Sequence, residues 1–310
     1  MMDVATDRAV NEAPPVDIED LEIDDRIYSL YDQYCHGFMS RREFLKRAGA
    51  ITVAGVSGLT MAQALFPRYA EAQTISFTDE RIKGTYVQYP SPGGNSGEMR
   101  GYLVQPTADG PHPTVLVIHE NRGLNPYIED VARRFAAAGF LALAPDALFP
   151  VGGYPGNDDD GRALQKSLDR TKIMVDMLNS GSFVQKHELS NGNLGAVGFC
   201  FGGAVVNFMA TKMGGDLKAG VPFYGSAPPA EEVTNIKASM MIQAAENDDR
   251  INAQWEGYEA ALKSNGVEYQ RHLYPGTGHG FHNNSTKRYR EEAANLAWDR
   301  TVELFSAKLS

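Results

Sequence analysis

The run Leu194-Gly195-Ala196-Val197-Gly198-Phe199-Cys200-Phe201-Gly202-Gly203 sets one thiol between two glycines. It closes an apolar stretch and precedes a helix-like segment over 204–213. A strand, a tight turn and a helix in that order lift a nucleophile clear of a sheet. Gly198 and Gly202 suit such a turn, which is too tight for Cβ atoms at those places. The residue usually found there is serine. Here it is Cys200, so the chemistry on offer is thiolate attack on a carbonyl.

Attack of this kind needs a base to take the proton and a group to orient that base. The order expected along the chain is nucleophile, acid, histidine. Downstream of Cys200, a strand-like run enters the acidic turn Glu246-Asn247-Asp248-Asp249-Arg250-Ile251. Beyond the final strand-like run comes Gly276-Thr277-Gly278-His279-Gly280-Phe281. His279 is therefore the candidate base and Asp248 its orienter. Asp249 competes for the acid role, but an apolar residue three places after the acid favours Asp248. Taken alone, Asp248 would also read as a turn or helix-capping aspartate, and His279 as a loop histidine.

Negative charge on the attacked oxygen requires two aimed donors. The backbone N–H of Phe201 is one, at a helix start whose dipole also favours a thiolate. The second is expected in the loop Glu120-Asn121-Arg122-Gly123, with Asn121 N–H the candidate.

Three further stretches, together with the cysteine and histidine motifs, resemble the dienelactone hydrolase family. They are His119-Glu120-Asn121-Arg122-Gly123-Leu124-Asn125, Ile128-Glu129-Asp130-Val131-Ala132-Arg133-Arg134 and Gly139-Phe140-Leu141-Ala142-Leu143-Ala144-Pro145-Asp146. The likeness covers about residues 84–308. It implies a Cys-His-Asp triad, a thioester intermediate and hydrolysis of an ester or lactone. It also implies that Glu120 contacts the resting thiol and keeps it protonated until substrate displaces the carboxylate. A carboxylate beside a thiol raises its pKa and protects it from oxidation; the plainer reading of Glu120 is a surface carboxylate at a strand end. The family's dienelactone-specific members grip a substrate carboxylate with arginines, one of them four residues after the histidine. That place is Asn283 here, and Arg122 or Arg162 would have to supply the charge, although each also reads as a solvent-facing arginine.

Two rivals share this pattern: a thioesterase or acyltransferase with the same triad, and a thiol redox sensor on the same fold. A sensor has no need of His279 and Asp248 in register. His119, His112, His187, His272 and His282 lack supporting motifs. No zinc-ligand spacing and no phosphate-binding glycine fingerprint is present, so no cofactor and no metal is expected.

Elements that could position these groups alternate along the chain. Strands are expected at 85–89, 99–104, 114–119, 140–144, 194–199, 219–224, 239–244 and 267–274, with the first two as edges. Helices are expected at 127–138, 164–178, 204–213, 253–264 and 287–309. Such alternation makes an α/β fold, a mainly parallel sheet covered by helices on both faces, as in α/β-hydrolases. The polar insert 149–162 follows a strand end and reads as a solvated loop or as a lid over the ligand face.

The 310 residues carry a formal charge of −10, which argues against a nucleic-acid partner. Residues 1–39 form an acidic leader, disordered or awaiting a partner. Residues 40–72 have the layout of a twin-arginine export signal: Ser40-Arg41-Arg42, a mildly apolar run rich in glycine and alanine, then Ala70-Glu71-Ala72. The alternative is an amphipathic helix, for which Gly49, Gly55 and Gly58 are poor interior residues. Export through the twin-arginine machinery, cleavage near Ala72, a periplasmic or extracellular location and a hydrolase domain over 73–310 follow. Residues 1–72 hold seven of the 29 basic and twelve of the 39 acidic side chains, leaving the remainder at a formal −5. Of Cys35 and Cys200, only Cys200 would survive the cut, a lone thiol in an oxidising compartment. No apolar stretch demands a permanent membrane span.

Overall fold

A computed structural model describes residues 21–35, 38–53 and 56–310. The leader and signal readings on residues 1–20, 36–37 and 54–55 lie outside these. Two compact units divide between Phe66 and Pro67.

The first unit holds α1 (Asp25–Cys35), α2 (Arg41–Gly49), the short hairpin β1 (Thr52–Val53) and β2 (Val56–Ser57), and α3 (Gly58–Ala64). Ser40 and Ser57 cap α2 and α3 by accepting from the Glu43 and Leu59 N–H groups. Ile27, Tyr31, Phe44 and Leu65 are buried together. Tyr34 stacks on Phe44 with centroids 5.3 Å apart, so residues on both sides of the leader–signal boundary share one core. Arg41, first of the paired arginines, lies with its guanidinium 4.2 Å from the Phe66 ring centre. No described helix is long and apolar enough to cross a membrane.

The second unit is an eight-stranded sheet with helices on both faces. Its elements are β3 (Ile82–Pro90), β4 (Glu98–Pro106), β5 (His112–Ile118), α4 (Pro126–Ala137), β6 (Leu141–Pro145), α5 (Asp158–Ser167), α6 (Arg170–Gln185), β7 (Ser190–Phe199), α7 (Phe201–Met213), β8 (Leu217–Phe223), β9 (Ser239–Asn247), α8 (Asp249–Asn252), α9 (Trp255–Ser264), β10 (Tyr269–Gly278) and α10 (Glu291–Leu309). The strand order is β10-β9-β8-β7-β5-β6-β4-β3. The first six are parallel; β4 runs antiparallel to β6, and β3 to β4. Hence β3 is an edge, whereas β4, expected at an edge, is covered on both sides.

Side-chain alternation along β5 shows how the sheet is sealed. Val115 and Val117 pack with Ile128, Val131 and Phe135 of α4 and Phe305 of α10. Leu116 and Ile118 pack with Ile173 and Met177 of α6, and with Val205 and Met209 of α7. The expected helix over 164–178 is two helices. Leu168 is extended (ψ 154°), and Asp169 caps α6 by accepting from the Thr171 and Lys172 N–H groups. The last helix starts at Glu291 rather than 287, because Tyr289 N–H donates to Thr286 O and Arg290 N–H to Phe281 O, which hold 286–290 in turns.

Candidate active site

Every sequence-derived candidate lies beyond the carboxyl ends of the parallel strands, on the face where such sheets bind ligands. Cys200 follows β7 with φ 56° and ψ −110°, a conformation that side chains rarely adopt. The turn is closed from both sides. A Cβ on Gly198 would lie 2.2 Å from Gly202 O, and one on Gly202 would lie 2.3 Å from Ile118 O. Cys200 N–H is held by Phe223 O at 3.1 Å, and its side chain is partly exposed.

His279 follows β10 and Asp248 follows β9, neighbouring parallel strands. His279 Nδ1 lies 2.6 Å from Asp248 Oδ2, with both residues 5 % exposed. The Cys200 sulfur acts electrostatically on the same imidazole. Burial disfavours a charged imidazole, but the Cys200 sulfur and then the Asp248 carboxylate outweigh it, raising His279 to about 10. Asp249 is the first residue of α8 and is exposed.

The donors expected for an oxyanion sit on adjacent elements. Phe201 opens α7, whose first N–H groups have no acceptor within the helix. Ile118 pairs with Gly198 across β5 and β7, so the loop carrying Asn121 leaves the sheet beside the elbow. His119 is buried there: its Nδ1 bonds the Glu120 carbonyl, and its Nε2 accepts from Ala147 N–H at 3.3 Å. It ties β5 to β6, and burial lowers its pKa.

Glu120 is 1 % exposed, not a surface carboxylate. Asn283 Nδ2 donates to Glu120 Oε2 at 3.2 Å, while Oε1 has no hydrogen-bond partner. Arg122 is also buried, against the solvent-facing expectation. Its Nη1 bonds Asp158 Oδ2 at 2.7 Å, and its Nε lies 3.8 Å from Glu120 Oε2. Arg162 is mostly covered and lies 3.7 Å from Asp159. The named substrate-binding candidates are therefore engaged: Asn283 by Glu120, and both arginines by aspartates of α5. The insert 149–162 is docked from outside by Arg122 and by Tyr69, whose hydroxyl donates to Asp158 Oδ1 at 2.7 Å; Tyr154, within the insert, also donates to Asp158 at 2.9 Å.

Sequence reasoning missed Tyr224. It follows β8 with φ 38°, its ring lies 4.8 Å from that of His279, and its buried hydroxyl has no hydrogen-bond partner. Burial, followed by Tyr127, Glu120 and Cys200, raises its pKa well above the ordinary value, so it stays a donor. Arg288 was also missed; its guanidinium stands where a Cβ on Gly280 would come within 3.0 Å. Neither residue sits in a recognisable motif, since only the folded loops bring Tyr224 to His279 and Arg288 to Gly280. Among the described residues, no cluster of His, Cys, Asp or Glu could hold a metal ion.

Comparison with known proteins agrees with this architecture. The dienelactone hydrolase family model matches residues 99–309, and a second model, YqhI-like, matches residues 19–54. The chain is 31 % identical over 246 residues to a Synechocystis protein named "Putative carboxymethylenebutenolidase", covering 74 % of this chain and 98 % of that one. It is 58 % identical over 117 residues to the "Putative hydrolase fragment YghX" of Escherichia coli, 37 % of this chain and 99 % of that protein. A crystal structure titled as a "Putative Dienelactone Hydrolase" from Klebsiella pneumoniae superposes with TM-score 0.61 at 26 % identity, covering 72 % of this chain and 99 % of that one. The chain belongs to the dienelactone hydrolase family.

Proposed function

We propose that this family member cleaves ester or lactone bonds of small substrates through a thioester on Cys200. The observation that carries this reading is the strained elbow of Cys200, whose sulfur acts on His279, together with the pairing of His279 Nδ1 to Asp248. Cys200 attacks the carbonyl carbon as thiolate, and the tetrahedral oxyanion is met by the Phe201 and Asn121 N–H groups. His279 gives its proton to the departing alkoxide, leaving an acyl thioester. It then takes a proton from water, which attacks that thioester and releases the acid and the free thiol. Tyr224, with its unpartnered hydroxyl, supplies a further donor to the bound acyl group. Glu120 guards the resting thiol.

With Arg122 and Arg162 held by aspartates, the reading favours uncharged esters and lactones over a carboxylated dienelactone. The test is turnover of p-nitrophenyl acetate and butyrate, a simple lactone and a dienelactone by the full chain. Cys200→Ala and Cys200→Ser run alongside. Loss of turnover in Cys200→Ala supports the thiol mechanism, and activity that survives it removes the mechanism.

We also propose export by the twin-arginine route, on the strength of Ser40-Arg41-Arg42 and the mildly apolar run after it. Arg41→Lys with Arg42→Lys in a compatible bacterial host tests this. Unchanged recovery of the protein outside the cytoplasm would exclude that route.

A further inference from the structure

Between Glu120 and the outer helix α5, a single buried guanidinium faces two carboxylates. Arg122 is 3 % exposed; its Nη1 sits 2.7 Å from Asp158 Oδ2, a charge-assisted hydrogen bond, and its Nε sits 3.8 Å from Glu120 Oε2, beyond one. The asymmetry has a cause in what else Asp158 holds. Tyr69 Oη donates to Asp158 Oδ1 at 2.7 Å and Tyr154 Oη at 2.9 Å. Tyr69 is itself fixed by Asn125 Nδ2, which donates to its hydroxyl oxygen at 2.9 Å. Asn125 in turn caps α4 through its Oδ1. Tyr69 lies 89 residues before Asp158, in the segment ahead of β3.

We propose that Tyr69 is a positioning residue of the reaction centre: with Tyr154 it clamps Asp158 so that Asp158 outcompetes Glu120 for Arg122. Glu120, left without a close ion pair and with Oε1 unpartnered, is then available to guard the Cys200 thiol. Without the clamp, Arg122 turns to Glu120 and draws it off the thiol, and the resting thiolate fraction rises. This positioning role rests on the proposed roles of Cys200 and Glu120. Both tyrosine bonds also act on Asp158: burial raises its pKa, but Arg122 and then the tyrosine hydroxyls outweigh it and keep it ionised.

The test is the pH profile of Cys200 alkylation by iodoacetamide in the full chain, from about pH 5.5 to about pH 9, read by peptide mass so that Cys35 is counted separately. The groups facing Glu120 are Arg122 and Asn283, the side chains of Tyr127, Tyr224 and His119, and the Cys200-His279-Asp248 set. Asp158→Asn is expected to react about tenfold faster near neutral pH, and Tyr69→Phe about threefold, each with a lowered midpoint. A purely structural role would lower the melting temperature and leave the midpoint in place. Profiles superimposable on wild type, or slower reaction, overturn the clamp. If Asp158→Asn fails to fold, Tyr69→Phe, which deletes one hydroxyl, decides alone. Glu120→Gln separates the two levels: faster alkylation there with no change in Tyr69→Phe sinks only the clamp, and no change in either removes the guarding role of Glu120.

Discussion

His279 Nδ1 is 2.6 Å from Asp248 Oδ2, whereas the adjacent Asp249 begins α8 and faces solvent. In the proposed mechanism the carboxylate holds the imidazole in the tautomer that presents Nε2 to the thiol. Asp248→Asn preserves shape but offers an amide where the imidazole N–H must be accepted. In a serine triad this change costs about 10⁴-fold in kcat. A loss of the same order is expected here, with KM nearly unchanged and Asp249→Asn within about twofold of wild type. Steady-state kinetics of the two variants on one ester checks this, and equal losses would displace Asp248 as the orienter.

The elbow glycines make a stability prediction. Gly198→Ala drives a methyl to within 2.2 Å of the Gly202 carbonyl, and no flexible side chain is there to yield. The cost is expected to be about 3 kcal/mol or more. Gly215→Ala, where nothing lies within 4 Å of the added Cβ, is the control and is expected within about 0.5 kcal/mol of wild type. Urea unfolding of both proteins measures the difference, and a neutral Gly198→Ala would mean that the turn can relax.

The elbow, the histidine loop and the alternation of strands and helices are local patterns, so the order of residues exposes them. The break at Leu168 and Asp169 is not, because Leu164, Leu168, Val175 and Leu178 keep helical spacing across it and a single capping aspartate decides otherwise. Arg122 defeats sequence reading for another reason. Its burial depends on Asp158 and Tyr69, brought to it from positions 36 and 89 residues apart in these bonds. Tyr224 is hidden likewise, since a tyrosine after an apolar strand is ordinary until its backbone strain and orphan hydroxyl are seen.

His282 predicts how stability responds to acid. Burial first, and then Arg134, lowers its pKa to about 3. Its Nδ1 is paired with the Tyr127 hydroxyl at 2.7 Å, and its ring packs against both Phe199 and Phe223. The unfolded chain binds a proton near pH 6.5 that the folded chain refuses. Stability therefore falls as pH drops from about 6.5 toward about 3, by an amount on the order of a few kcal/mol. His282→Phe removes that titration but strands the Tyr127 hydroxyl, costing about 1–3 kcal/mol at every pH. Urea unfolding at neutral pH and near pH 4 is expected to show a smaller acid loss in the variant. Equal losses would clear His282 of this role.

The segment 67–75 constrains where an exported form can be cut. Arg68 N–H donates to Ser285 O at 2.7 Å, and Asn284 Nδ2 donates to Ala72 O at 2.8 Å. Thr74 and Ile75 N–H groups both bond Asp130 Oδ1. Cleavage after Ala72 removes Arg68, Tyr69 and Ala72, and with them one donor to Asp158 and both ties to the loop beyond His279. Ala62 and Ala64 offer small residues at the same spacing upstream, and a cut after Ala64 leaves every one of these bonds in place. N-terminal sequencing of protein recovered outside the cytoplasm is therefore expected to give a start at Leu65. A start at Gln73 would show that the catalytic unit functions without Tyr69, which would also deprive the Asp158 clamp of its main support.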